Sequence, residues 1–464
     1  MFSTQTYIER RRVLKEKVGS GLLLIPGNEE APMNYPSNTY TFRQDSTFLY
    51  YFGLDRDGLF GVIDIDNDKE IIFGYDYTID DIVWMGPQPK ILDEAKKVGV
   101  NETYPLEKLE EYLAKAKSSG QTIHFLPQYR FQNKMRFEKL LGLKSFEVDN
   151  HRSEKFTKAV IEQRSIKSED ELREIEYAID ISYEMYTTAM KLAKPGLKER
   201  EIYGKLNGIA NSMGSGVSFP VICSVHGETL HNHHYENTMK DGDLLLIDSG
   251  AESLLHYASD ITRTFPVNGK FTEEQKDIYN IVLASQLKAI DSIKPGLKFR
   301  EVHLIASEVI AEGLRDIGLM KGDPKEAVKQ GAHALFFPHG LGHAMGLDVH
   351  DLEGLGENLV GYDKDTQRSE QFGLSALRFG KELQPGNVLT VEPGIYFIPE
   401  LIEMWKAENK LSDFINYDKV EKYKNFGGIR IEDDIVVTES SCRVLGNNPI
   451  PKQVEDVEAA CFSE

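Results

Sequence analysis

An α/β domain followed by a larger domain built from two similar halves is the fold class this sequence predicts, on three observations. Strand-like and helix-like segments interleave over residues 1–150. The pattern changes near residue 160, where a long amphipathic helical segment begins. The phrase KPGLK then occurs twice, from Lys194 and from Lys294, each time between two helix-like segments. With 464 residues, 41% hydrophobic and 28% charged, the chain has material for two such domains.

The elements follow in order. MFSTQTYIERRRVLKEKVGSGLLLIPG reads as a charged surface helix running into a buried strand, because GLLLI is too short for a signal segment or a membrane span. GLLLIPG (21–27), DGLFGVIDID (57–66), EIIFGYD (70–76) and TIHFLP (122–127) read as strands. LEKLEEYLAKAK (106–117) carries Leu106, Leu109, Leu113 and Ala116 at helical spacing. Residues 1–158 are thus expected to form the first domain and 159–464 the second. The second opens with Ser168 and Glu171 in capping-box register. The helix that follows puts Leu172, Ile175, Ile179, Tyr186 and Met190 on one side and stops at Pro195-Gly196. The two helix–KPGLK–helix units imply a duplicated, pseudo-symmetric domain with a cleft between its halves.

Bulk properties narrow the function classes. The net charge is −20, from 74 acidic and 54 basic side chains, with no basic run to grip phosphates, so nucleic acid and anionic membranes are poor partners. The acidic surface otherwise serves solubility. Cys223, Cys442 and Cys461 are few and scattered, without a CxxC, which fits a reducing compartment and a cytoplasmic protein.

Two segments carry chemistry. DGDLLLIDSGAESLLHYASDITRTFPV (241–267) holds an apolar strand, a polar break and a second strand-like run. A fold-back near residue 254 is expected to set Asp248 opposite Asp260, and two facing carboxylates need a proton or a cation between them. FPHGLGHAMGLDVHD (337–351) packs three of the twelve histidines among glycines, which permit close backbone approach. Glu392 ends the apolar run VLTVEPG, and Glu432 sits among Ile429, Ile431, Ile435 and Val436, where an unpaired charge is costly. Two Asp, two Glu and His343 suit Mn²⁺, with Co²⁺ or Zn²⁺ as alternatives. Four carboxylates call for two divalent ions, about 3.5–4 Å apart, to balance their charge. The His339/His343 spacing is not a zincin motif, because HGLGH lacks the glutamate and its glycines oppose a regular helix.

LLIDSGAE, YASDITRTFPVNGKFT, PHGLGHAMGLDVHD, LTVEPGIYFI and FGGIRIEDD, in that order, resemble the prolidase and aminopeptidase P family of dinuclear metallopeptidases. YTFRQDSTFLYYFGL (40–54) resembles the family's N-terminal signature, so the resemblance covers nearly the whole chain. It implies an α/β N-terminal domain and an α+β pseudo-symmetric pita-bread (creatinase/aminopeptidase-like) catalytic domain. By the same resemblance Asp248, Asp260, His343, Glu392 and Glu432 match the metal ligands. Asp260 and Glu432 would bridge, and Glu392 would accept the proton of the attacking water. His350 matches the histidine that stabilises the tetrahedral intermediate. His231 matches a substrate-side histidine, with His233 and His234 as rivals, and His256 is left as a hairpin residue. His339 is either a substrate-side group or a satisfied core histidine. Arg430 would orient a metal carboxylate from two residues before Glu432.

The resemblance implies hydrolysis of the Xaa-Pro peptide bond by a homodimer. Arg378, fourteen residues before Glu392, resembles the prolidase arginine suited to a free C-terminal carboxylate; the alternative for it is a surface ion pair. The 399–425 segment also looks prolidase-like. Xaa-Pro dipeptidase is therefore the favoured expectation and aminopeptidase P, acting on longer peptides, the alternative. A creatinase-like hydrolase, a binding protein and a dinuclear phosphoesterase are the rivals from other classes. Filled ligand positions argue against the first two, and the lack of a phosphate-gripping basic cluster against the third.

Overall fold

The computed structural model describes residues 1–462. It divides into two compact units, Met1–Arg164 with Gly354–Gly356, and Ser165–Glu353 with the chain from Glu357 onward. In the first unit the helix Thr4–Val18 starts on Ser3, whose hydroxyl accepts from Thr6 N–H, and ends at Gly19 with φ +83°. The strand Leu22–Pro26 follows, buried at every residue. It lies in a five-stranded sheet ordered Glu102–Pro105, Lys69–Gly74, Phe60–Asp64, Leu22–Pro26, Ile123–His124. The two outer pairings are parallel and the inner two antiparallel. Three of these strands lie inside the apolar runs read from the sequence, and Lys69–Gly74 begins one residue before its run. The fifth, Glu102–Pro105, is a half-exposed ETYP with neither alternation nor an apolar run to signal it.

The division falls at Arg164–Ser165 and not at 158/159, because the helix Glu154–Arg164 packs its apolar face into the first unit. Its end is tied there: Gln163 Nε2 donates to Arg10 O (2.9 Å) and Arg164 Nη1 to Thr47 Oγ1 (3.0 Å).

The second unit opens with the helix Glu169–Leu192, capped reciprocally by Ser168 and Glu171, with Leu172, Ile175, Ile179, Tyr186 and Met190 all buried. The KPGLK echo marks a structural repeat. Glu169–Leu192 and Glu199–Met213 flank the first copy, Glu273–Ser292 and Phe299–Asp316 the second. Gly196 (φ +96°) and Gly296 (φ +83°) turn the chain, and their N–H groups donate to Met239 O and Leu383 O. Met239 and Leu383 donate back to Leu197 O and Leu297 O, and Lys198 and Lys298 bridge to Thr238 and Glu382. Each half then builds a three-stranded sheet. One is ordered Ile261–Pro266, Leu244–Ser249, Ile222–Ser224, and the other Val388–Val391, Asp433–Val437, Cys442–Val444. A bridge from Thr262 to Glu432 joins them. Among the described residues no helix is long and apolar enough to cross a membrane.

Register corrects one expectation. Asp248 stands opposite Thr262, and Asp260 lies before the strand begins. LLHYA is not strand but a turn held by the Glu252–Ala258 bridge, with His256 at φ +66°. The two aspartates are therefore diagonal rather than direct neighbours, still within side-chain reach.

Candidate active site

The duplicated halves place the acids in matching ways. Asp248 sits near the end of Leu244–Ser249, and Asp260 just before its antiparallel partner Ile261–Pro266. Glu392 follows Val388–Val391, and Glu432 precedes the partner Asp433–Val437. His343 arrives on the glycine-rich segment, which runs beside Val388–Val391. Thr390 N–H donates to His343 O (3.0 Å), and Glu392 N–H to Leu341 O (2.8 Å). His343 N–H in turn donates to Thr390 Oγ1 (3.2 Å). A Cβ on Gly342 would stand 2.0 Å from Thr390 O, so the approach requires glycine.

His343 Nδ1–H donates to Ala344 O (3.1 Å). That fixes the tautomer and aims Nε2 at Asp260 Oδ2 (3.3 Å) and Glu392 Oε1 (3.7 Å). Ligand atoms of Asp260, His343 and Glu432, all buried, lie within 4.8 Å of one another. Asp248 and Glu392 line the same cavity, of about 530 Å³. Asp248 Oδ1 and Asp260 Oδ1 are buried without a hydrogen-bond partner among the described residues. Burial, then neighbouring Asp248, pushes the Asp260 carboxyl well up. Burial, then Asp260 and Glu392, does the same to Glu432. Glu392 is pushed up to about 7, chiefly by burial, with Asp260 and Asp248 adding to it. Crowded buried carboxylates with orphaned oxygens, beside an imidazole aimed at them, fit a divalent-cation site.

A hydrogen-bonded frame surrounds them. Arg430 donates from Nη2 to Asp248 Oδ2 (2.6 Å), from Nη1 to the Tyr396 hydroxyl (2.8 Å) and from Nε to Thr262 Oγ1 (3.0 Å). Thr262 Oγ1 donates onward to Glu432 Oε2 (2.6 Å). Asp434 accepts from Asp260 N–H (3.0 Å). His339 donates from Nδ1 to Gly340 O (2.8 Å) and accepts at Nε2 from Tyr396 (2.8 Å), and burial lowers its pKa to about 3. It is a neutral imidazole with both nitrogens engaged.

His350, His231, His339 and Arg378 also line the cavity. The His350 ring centroid is 4.2 Å from that of His343. His231 is exposed at the rim, and His233 lines the cavity too. Arg378 Nη1 donates to Glu353 Oε2 (2.7 Å) and lies 3.5 Å from Glu357 Oε2. Thr262, Thr390, Tyr396 and Glu353 escaped the sequence reading. Tyr396 and Thr262 lie at even spacing from Glu392 and Asp260 in strand-like runs, the one signal that could have found them.

The description "Metallopeptidase family M24" matches residues 173–439, and "Aminopeptidase P, N-terminal domain" residues 7–124. The chain is 34% identical to the Xaa-Pro dipeptidase of Rattus norvegicus, over 98% of this chain and 92% of that one. It is 33% identical to the Xaa-Pro dipeptidase of Homo sapiens, over 98% and 91%. A solved structure of Escherichia coli aminopeptidase P in complex with substrate superposes with TM-score 0.82 at 30% identity, covering 99% of this chain and 98% of that one.

Proposed function

The chain belongs to metallopeptidase family M24, and from that premise and the geometry above we propose that it is a metal-dependent exopeptidase hydrolysing the Xaa-Pro bond, with the Xaa-Pro dipeptide as favoured substrate. The pita-bread catalytic unit follows an aminopeptidase P-type N-terminal domain. One observation carries the reading: the buried cluster of Asp260, His343 and Glu432, whose excess of carboxylate must be neutralised by protons or by bound cations. We assign Asp248, Asp260, His343, Glu392 and Glu432 as the ligands of two divalent ions. The oxygen-rich donor set supports Mn²⁺ over Zn²⁺ or Co²⁺. When bound, such ions supply Lewis-acid polarisation of the scissile carbonyl and acidify the attacking water.

The side chains divide the remaining work. Glu392 takes the proton of the attacking water. His350 stabilises the developing oxyanion, with His231 at the rim as a second donor. His339, its tautomer set by Gly340 and Tyr396, positions the substrate side of the cavity. Arg430 braces Asp248 directly and Glu432 through Thr262. Proline offers no N–H at the scissile amide, so recognition falls to shape and to the substrate's ends. Phe219, Ile222 and Leu230 supply an apolar wall for its ring, and Arg378 a cation for its free carboxylate.

A homodimer is proposed with this activity. The short helix Ile79–Met85 supports it, turning Ile79, Val83 and Trp84 to solvent at 72%, 72% and 87% exposure. Sedimentation velocity returning a monomer would remove it. A reducing, cytoplasmic setting is supported by the free state of Cys223, Cys442 and Cys461. The likeness to aminopeptidase P favours a second reading, action on longer peptides. Hydrolysis of Ala-Pro against Ala-Pro-Ala, after chelation and after Mn²⁺ is restored, tests both. Faster cleavage of the dipeptide supports the main reading, faster cleavage of the tripeptide the second, and full activity in chelated protein defeats both.

A further inference from the structure

Arg378 does not stand in the cavity as a free cation. Nη1 of its half-buried guanidinium donates to Glu353 Oε2 (2.7 Å), with Glu357 Oε2 at 3.5 Å. Glu353 is the more buried partner, its side chain 16% exposed against 35% for Arg378. Among the described residues, Nε and Nη2 of Arg378 make no hydrogen bond, and Arg378 lines the cavity whereas Glu353 and Glu357 lie outside the lining. The acids therefore hold the far corner of the guanidinium and leave the Nε–Nη2 edge available. That edge matches the two oxygens of a carboxylate. One of the two acids is itself braced. Glu357 pairs with Arg368, which also donates to Asn358 Oδ1 (2.8 Å) and Ser375 O (2.9 Å). Tyr362 donates to Leu377 O (2.6 Å), next to Arg378.

We propose that Glu353 is a positioning residue for substrate specificity: it locks Nη1 of Arg378 so that the Nε–Nη2 edge receives the free C-terminal carboxylate of an Xaa-Pro dipeptide. This rests on the Xaa-Pro reading above and deepens it. An unbraced arginine has many rotamers, and ordering them on binding weakens affinity. A fixed guanidinium presents its fork already aligned. Glu353 Oε2 also lies 3.5 Å from His350 Nδ1, so one carboxylate touches both the residue assigned to the scissile carbonyl and the residue assigned to the substrate's far end.

The test compares Ala-Pro with its C-terminal amide, Ala-Pro-NH₂, on Mn²⁺-loaded full-length protein. Glu353→Ala is expected to raise KM for Ala-Pro and to lower the ratio of kcat/KM, Ala-Pro over amide, by about tenfold. Glu353→Gln keeps an acceptor for Nη1 and is expected to fall between wild type and Glu353→Ala. In an Arg378→Ala background the ratio is already low, and adding Glu353→Ala is expected to leave it unchanged. A kcat loss common to both substrates reads the His350 contact and cancels in the ratio. An unchanged ratio in Glu353→Ala and Glu353→Gln, or a further fall on the Arg378→Ala background, would overturn the proposal while the Xaa-Pro reading stands. Wild-type protein that cleaves neither substrate would instead defeat that reading itself.

Discussion

Lys167 and Asp351 form an ion pair in which both side chains are almost fully buried, 2% and 1% exposed, with Nζ 2.8 Å from Oδ2. The pair pins the segment that carries His343 and His350 to the start of the second unit, since Asp351 also receives Asp348 N–H and packs on Gly346. Lys167→Met strands a buried carboxylate and is expected to cost about 3–5 kcal/mol in urea unfolding, whereas Lys167→Met with Asp351→Leu is expected to cost less. Equal losses would mean that the charge is not what holds the segment. Arg430 is the second such residue, because its three donors reach Asp248, Tyr396 and Thr262 in a fixed fork. A lysine has no fork, so Arg430→Lys is expected to weaken Mn²⁺ affinity or activity about 10–100-fold, read by metal titration and by initial rates. Wild-type values for both would remove Arg430 from the metal frame.

The strand Val388–Val391 does for the histidine segment what a partner strand does in a sheet, and it does so across Gly342. The Cβ of Gly342→Ala would meet backbone, Thr390 O at 2.0 Å, and backbone cannot swing aside as a long side chain can. The substitution is expected to cost about 1–3 kcal/mol and to lower metal affinity by moving His343, measured by thermal unfolding with and without Mn²⁺. A stability loss with unchanged metal binding would separate the strand contact from the site. This element also marks how far the sequence could be read. Glycine next to histidine announced a close approach, and acids inside apolar runs announced an ion site, because both are costly without a reason. The partner across the gap was not announced. Thr390, Thr262 and Tyr396 are ordinary strand residues, and only register decides which of them meets a ligand. Register also set Asp248 opposite Thr262 rather than Asp260, since the polar break before Tyr257 uses residues that read as strand. The boundary expected at 158/159 cuts through the helix Glu154–Arg164, because which unit its apolar face covers is a tertiary fact.

Duplication, acidity and metal linkage meet in the molecule as a whole. Each half contributes one carboxylate at the end of a strand and one at the start of its partner, so closing the two halves on each other concentrates negative charge in a chain already at −20. Without cations the folded protein relieves this by keeping protons: Asp260 and Glu432 are raised well above, and Glu392 to about 7, while unfolded carboxyls titrate near 4. Between those values the folded state holds protons that the unfolded state has lost. Stability of the chelated protein is therefore full below about pH 4 as far as these groups decide it, and falls as pH rises through 7. Divalent ions take the place of those protons, so loading releases protons and tightens as they are lost to solvent. The rise in Tm on adding Mn²⁺ is accordingly expected to be larger at pH 8 than at pH 6. Calorimetry in buffers of different ionisation enthalpy is expected to register proton release at pH 6 and less of it at pH 8. A Tm increment independent of pH, with no buffer dependence at either, would mean that the carboxylates of the cavity are not the groups that the metal displaces protons from.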